Sequence, residues 1–227
     1  MVTTTNKNFR SPVTPVDVVS LLHTETDPFD SMNDTGALSD AELYARMSDT
    51  ERYSKRERDA AFTELYHRHA PRVYAYCRRI MGDDDVAKDA FQEAFMRFYS
   101  TADPTRTMTN VPAFLLRIAR NVCLNIKRSA RPTLELEDYH SITREQPYEN
   151  DELAELLARA LELLPLEYRE AFVLHEYEGL SYAEIGAMTG VSADVVKVRA
   201  FRARQKLRGI LAPYFSDRTE DMNTTDE

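Results

Sequence analysis

The stretch Leu180–Leu207, LSYAEIGAMTGVSADVVKVRAFRARQKL, decides the fold. Ser181 followed by Glu184 is a capping box, a hydroxyl and a carboxylate placed to satisfy the first backbone N–H groups of a helix. The helix they start ends near Thr189–Gly190, and Ser192 opens another at once, with Asp194 suited to its first turn. Helix, glycine-containing turn of about four residues, helix is the helix-turn-helix pattern. In the second helix Val196, Ala200, Ala203, Leu207 and Ile210 make a narrow apolar stripe. Asp194, Val198, Phe201, Arg202, Gln205 and Arg208 face away from it, flanked by Lys197 and Arg199. Cations on such a face reach phosphates or guanine edges, and apolar groups among them reach thymine methyls. A merely solvated helix gives no reason for Val198 and Phe201 to point outward. The coincidence of cap, turn, stripe and basic face favours a DNA-reading helix.

The charge balance first argues against that reading. The 227 residues hold 38 acidic and 29 basic side chains, a net charge of -9. The distribution reverses the impression. Residues 1–51, 132–155 and 213–227 contain 22 acidic and 5 basic residues, leaving the remainder net positive. Two windows contain no acid at all. One, Pro104–Leu134, carries Arg106, Arg117, Arg120, Lys127, Arg128 and Arg131; the other, Val195–Ser216, carries Lys197, Arg199, Arg202, Arg204, Lys206 and Arg208. Two basic surfaces between acidic connectors point to two nucleic-acid contacts on one chain.

Six glycines, no tryptophan and long Ala/Leu/Glu/Arg-rich runs predict an all-α chain of two small helical domains joined by a flexible acidic linker. Residues 1–38 read as a poorly ordered extension. Ser39–Asp40 open a helix. A charged stretch leads to an amphipathic helix with Phe62, Leu65, Tyr66, His69, Val73, Tyr76 and Ile80 on one face and a kink expected at Pro71. Gly82 and Asp83–Asp85 end it and start the next, whose apolar face is Ala87, Ala90, Phe91, Ala94, Phe95 and Phe98. Over Pro112–Arg131 the stripe Leu115, Ile118, Ala119, Val122, Ile126 and Ser129 leaves Arg117, Asn121, Leu124 and Arg128 roughly opposite, with Asn110 as cap. Residues 132–152 lack periodicity and read as the linker. Helical spacing resumes at Leu153 and breaks at Pro165. A further helix over 166–177 leads to Gly179, and residues 213–227 read as an acidic tail.

Two blocks carry a family likeness. LPLEYREAFVLHEYEGLSYAEIGAMTGVSADVVKVRAFRARQKLR closely resembles the C-terminal domain of extracytoplasmic-function (ECF) sigma factors of bacterial RNA polymerase. ELYHRHAPRVYAYCRRIMGDDDVAKDAFQEAFMRFY with AFLLRIARNVCLNIKRSARP resembles their N-terminal domain. The resemblance covers about residues 39–131 and 153–212. It implies an initiation subunit that binds core polymerase, recognises the -35 and -10 promoter elements and helps to melt DNA. By that likeness Lys197, Val198, Arg199, Phe201, Arg202, Gln205 and Lys206 meet the -35 element in the major groove. Arg117, Ile118, Arg120, Asn121, Lys127 and Arg128 meet the -10 element, with Asn121 and Ile118 lining a pocket for a flipped base. Asp89, Gln92, Glu93 and Met96 dock on the clamp helices of the largest polymerase subunit, and the beta flap is a further polymerase contact. An anti-sigma protein is a further partner that the likeness admits. The chain departs from the family pattern at Phe114 (usually tryptophan), Asn125 (often aspartate), and Val195 and Val198 (usually threonine and serine), which bears on promoter preference.

The rival reading is a conventional helix-turn-helix regulator with an N-terminal sensing or dimerising domain. The basic, Asn-bearing helix near 112–131 favours the sigma reading, because a sensing domain has no need of it. A nucleic-acid-processing enzyme is disfavoured, since no nucleophile or metal constellation stands out and no cofactor is expected. His67 and His69 are two apart and point away from each other on a helix, so with Cys77 they are poor metal ligands. Cys77 and Cys123 sit in apolar helical patterns and read as buried thiols of a reducing compartment. No secretory signal and no uncharged run of about twenty residues is present, so the sequence predicts a cytoplasmic bacterial protein without membrane insertion.

Overall fold

A computed structural model describes residues 35–129 and 151–223, and the side chains of 35–129 and 153–215. Residues 132–150 of the linker expected over 132–152, residues 1–34 of the extension expected over 1–38 and the last four residues lie outside it, while residues 151 and 152 of the expected linker belong to a helix. The described residues are helical throughout, with no strand: α1 Asp40–Ser48, α2 Lys55–Met81, α3 Asp84–Ser100, α4 Val111–Ser129, α5 Asp151–Glu162, α6 Leu166–Phe172 continued by a π-helical turn Val173–Tyr177, α7 Tyr182–Thr189 and α8 Ala193–Asn223. Packing divides the chain into two compact units. Of the described residues, one comprises 35–73 with 92–119; the other comprises 74–91 with 120–129 and 151–223.

The first unit is an aromatic core. Ser39 and Glu42 cap α1 reciprocally, and the helix buries Leu43, Tyr44 and Met47. The Tyr44 ring lies 5.8 Å from Phe98 and 6.4 Å from Phe114, while Phe62 packs edge-on against Phe95 and Tyr99. Edge and tilted pairs of this kind add roughly 0.5–1.5 kcal/mol each to the area they bury. Phe95 and Phe98 are fully buried, as their spacing predicts, and serve the core rather than a stacking platform. Residues 35–38, expected to be poorly ordered, are held in place. Arg68 Nη1 donates to the Leu38 carbonyl at 2.8 Å and Nη2 to that of Gly36 at 3.0 Å, pinning this turn to α2. The charged run before Ala60 is likewise helical from Lys55, started by a second capping box in which Glu57 accepts from the Ser54 backbone at 2.9 Å. Pro71 lies inside an α2 that runs on to Met81.

The second unit is built on α8. Val196, Ala200, Ala203 and Leu207 are buried as the wheel predicts, and α6, α7 and α5 pack on this stripe. Pro165 caps α6, and the side chain of Arg169 enters the unit's interior. Its guanidinium donates to the carbonyl of Ile80 at 2.9 Å, and also to those of Glu162 and Leu164. A cation thus satisfies carbonyls left over at the ends of two helices, α2 and α5. Burial pulls its pKa below the ordinary arginine value. Cys77 and Cys123 are buried free thiols. The hydrogen bond to Cys123 and burial push the Cys77 thiol far above its usual range, which leaves it unreactive.

Candidate nucleic-acid interface

The helix-turn-helix is set by two glycines. Gly190 ends α7 in the left-handed region at φ 77°, and its N–H returns to the Gly186 carbonyl at 2.8 Å. At Gly186 a side chain would meet the Val191 carbonyl oxygen at 2.7 Å, so only glycine lets the turn fold back onto α7. The predicted box is present: Ser181 N donates to Glu184 at 2.8 Å and Glu184 N to Ser181 Oγ at 3.2 Å. The Ser181 hydroxyl also donates to Glu184 Oε2 at 2.6 Å, and this bond, with that from Ser181 N, holds the Glu184 carboxyl below its ordinary pKa.

From this base α8 presents the face read from the sequence. Asp194, Lys197, Val198, Phe201, Arg202, Gln205 and Arg208 are exposed, with Arg199 and Lys206 half-buried. Val198 and Phe201 keep 48% and 53% of their surface in solvent, among the most exposed large apolar residues described. Not every cation of the basic run faces outward. Arg204 turns back to Tyr182 Oη at 2.8 Å and to Glu176 at 2.9 Å, bracing the turn from behind. Arg202 Nη1 donates to Tyr168 Oη at 3.1 Å. Sequence reasoning misses Tyr168, because nothing in the spacing of α6 ties it to a residue thirty-four positions later.

The second basic helix, α4, is capped by Asn110, whose Oδ1 accepts from Ala113 N at 3.0 Å. Arg117, Asn121, Asn125 and Arg128 form its exposed stripe, with Ile118 half-buried beside it. The other two expected -10 contacts are engaged internally. Arg120 makes a two-pronged ion pair with Glu170, at 2.7 and 3.2 Å, with only 12% and 7% of the two side chains exposed. Lys127 Nζ donates to the Met81 carbonyl at 3.1 Å, and burial lowers its pKa. Glu170 is equally silent in the sequence, since a lone acid on a short helix gives no sign of its partner. Phe114 is occupied by the rings of Tyr44 and Phe98, with the Arg106 guanidinium 4.9 Å from its centre.

On α3, Asp89 and Gln92 are exposed, and Glu93 and Met96 half-buried. Glu93 pairs with Arg97 at 2.5 Å. His69 Nε2 lies 2.8 Å from Asp40 Oδ2, a pairing that gives it a structural partner. Among the described residues no cluster of three His, Cys, Asp or Glu side chains is arranged to hold a metal ion. No described helix is long and apolar enough to cross a membrane.

Two family models match the chain: sigma-70 region 2 over residues 65–133 and sigma-70 region 4 over 154–207. The chain belongs to the sigma-70 family, among its ECF factors. It is 34% identical over 175 residues to the ECF RNA polymerase sigma factor SigM of Mycobacterium tuberculosis, covering 76% of this chain and 85% of that one. With the ECF RNA polymerase sigma factor SigE of Mycolicibacterium smegmatis it shares 38% identity over 165 residues, 69% of this chain and 64% of the relative. The match thus spans a little under two thirds of that relative's length. The fold agrees with that of CnrH, solved in complex with the cytosolic domain of CnrY: TM-score 0.56 at 24% identity, covering 77% of this chain and 97% of the other. The region 2 match removes the rival reading, since the N-terminal half of this ECF factor is a sigma domain and not a sensing one.

Proposed function

We infer that this ECF factor is a promoter-specificity subunit that binds core RNA polymerase, recognises -35 and -10 elements and helps to open the duplex. The observation that carries the reading is the outward face of α8, where Val198 and Phe201 stand among Lys197, Arg202 and Arg208. Apolar groups among cations suit a base edge between two phosphate rows. In this reading residues 153–212 form the -35 domain, with Lys197, Val198, Arg199, Phe201, Arg202, Gln205 and Lys206 at the DNA. Residues 39–131 form the -10 and polymerase-binding domain, with 1–38, 132–152 and 213–227 as extension, linker and tail. Asp89, Gln92, Glu93 and Met96 meet the clamp helices, and the C-terminal domain meets the beta flap.

The exposed stripe Arg117, Asn121 and Arg128 is the part of α4 ready to meet the -10 strand. Melting without nucleotide hydrolysis requires capture of bases that open spontaneously. A few kcal/mol of unstacking are offset by hydrogen bonds to an amide such as Asn121 and by contacts with its neighbours. Arg120 and Lys127 join that surface only after exchanging their internal partners for phosphates. The protein itself carries no reaction in this scheme; the polymerase does. We place it in the bacterial cytoplasm and expect an anti-sigma partner, as the sigma factor RpoE of Bartonella quintana has in the anti-sigma factor NepR. Run-off transcription with core polymerase on a promoter library tests the reading. The expected result is specific initiation only when the protein is added; equal activity by core enzyme alone overturns it.

A further inference from the structure

A groove opens at the outward end of the helix-turn-helix, between the first turns of α6 and α8. It encloses about 430 Å³, and its floor is apolar: Tyr168 from α6, Val195 and Val198 from α8. Val195 and Val198 are exposed, at 42% and 48%. Arg199 and Arg202 line one edge, and Glu167 and Asp194 are also among the lining residues. Arg202 is tied to that edge by its 3.1 Å bond to Tyr168 Oη.

We propose that this groove selects a thymine of the -35 element, taking its 5-methyl group on Tyr168, Val195 and Val198, while Tyr168 positions Arg202 on the adjoining base. The inference rests on α8 being the helix that enters the major groove. The surrounding cations, Lys197, Arg199, Arg202 and Arg208, mark a polyanion as the occupant. The two carboxylates disfavour a phosphate inside the groove, so a base edge lies there and the backbone runs outside. In the major groove thymine is the base that offers an apolar group, its methyl. Arginine beside it suits the O6 and N7 of a guanine.

The test uses the holoenzyme reconstituted from the full chain and core polymerase. Promoters randomised over the -35 element give the preferred sequence, and each thymine in it is then replaced by deoxyuridine, which lacks only the methyl. Initiation is expected to fall about threefold to fivefold at one thymine, the amount one buried methyl contributes. Val198→Ser, and independently Val195→Ser, should abolish the difference between thymine and deoxyuridine at that position, read as the ratio of initiation from the two templates by the same holoenzyme. Tyr168→Phe keeps the ring but loses the hydroxyl; it should retain thymine selection and relax the preference at the neighbouring base. Equal activity with thymine and deoxyuridine at every position, or a preferred element without thymine, overturns the proposal and leaves the sigma assignment standing. A holoenzyme indifferent to the whole -35 element removes both.

Discussion

The two basic helices read almost alike in the sequence and differ in the folded chain. In α4, Arg120 is occupied by Glu170 and Lys127 by a main-chain carbonyl, so the helix shows solvent a thinner stripe of Arg117, Asn121 and Arg128. In α8, Arg204 is turned inward to brace the fold, and Lys197, Arg202 and Arg208 stand exposed around Val198 and Phe201. The difference follows from where each helix lies. α8 buries a stripe of small residues and keeps the rest of its circumference outside, whereas α4 carries buried residues at 115, 116, 119, 122 and 123, a wider face that draws its flanking cations inward. Charge in a sequence counts cations; the fold decides which of them a phosphate can reach. On the proposed function, α8 meets duplex with its exposed cations as they stand, whereas α4 offers Arg117, Asn121 and Arg128 at once and Arg120 and Lys127 only after they exchange partners.

The largest effect should come from breaking the inward-facing pair. Glu170→Ala leaves the Arg120 guanidinium buried without its counter-ion and should cost about 3–5 kcal/mol in urea unfolding. Replacing both partners together, Arg120→Met with Glu170→Leu, should restore most of that loss, because an apolar pair avoids the desolvation of both charges. A small cost for Glu170→Ala alone would show that Arg120 is as available as the cations of α8, and the contrast between the helices would disappear.

A smaller effect separates the two helices by their salt dependence. For a -35 duplex, Arg202→Ala should reduce the slope of log affinity against log salt by about one if the guanidinium contacts a phosphate. It should leave the slope unchanged and relax preference at one base pair if the contact is to a guanine edge. Arg120→Met should change neither, since that side chain is occupied. Asn121→Ala makes the converse test on α4: duplex binding unaffected, and open-complex formation lowered about tenfold, the value of a hydrogen bond or two to an extruded base.

Local features of this contrast are legible in the amino-acid sequence. The capping box Ser181–Glu184, the turn at Gly190 and the stripe Val196, Ala200, Ala203, Leu207 obey local rules, and each occurs where its spacing puts it. The same rule governs Ser54–Glu57 at the start of α2, where a dense charge run masks the box. Long-range polar partners are another matter. Arg120 with Glu170, Arg202 with Tyr168 and Arg169 with Ile80 join residues 34 to 89 positions apart. Helical periodicity says which face a residue occupies, and only the packing of helices says what that face meets.

The smallest prediction concerns acid. Glu184 holds its cap as a carboxylate, and the two bonds from Ser181 lower its pKa from the ordinary 4.5. A folded-state value below the unfolded one means stabilisation that is complete above about pH 4.5 and is lost as the pH falls through the lowered value. Glu42 and Glu57 do the same for α1 and α2. α4 does not share this dependence, because its cap, Asn110, is an amide without a charge to lose. Glu184→Gln keeps an acceptor for Ser181 and removes the titration, so its urea midpoint should approach the wild-type value as the pH drops. The converse variant, Asn110→Asp, should give α4 an acid sensitivity that it lacks, so that relative to wild type its midpoint falls as the pH drops while that of Glu184→Gln rises. If Glu184→Gln leaves the pH profile unchanged, the box contributes through its neutral hydrogen bonds alone, and the two helix starts are equivalent after all.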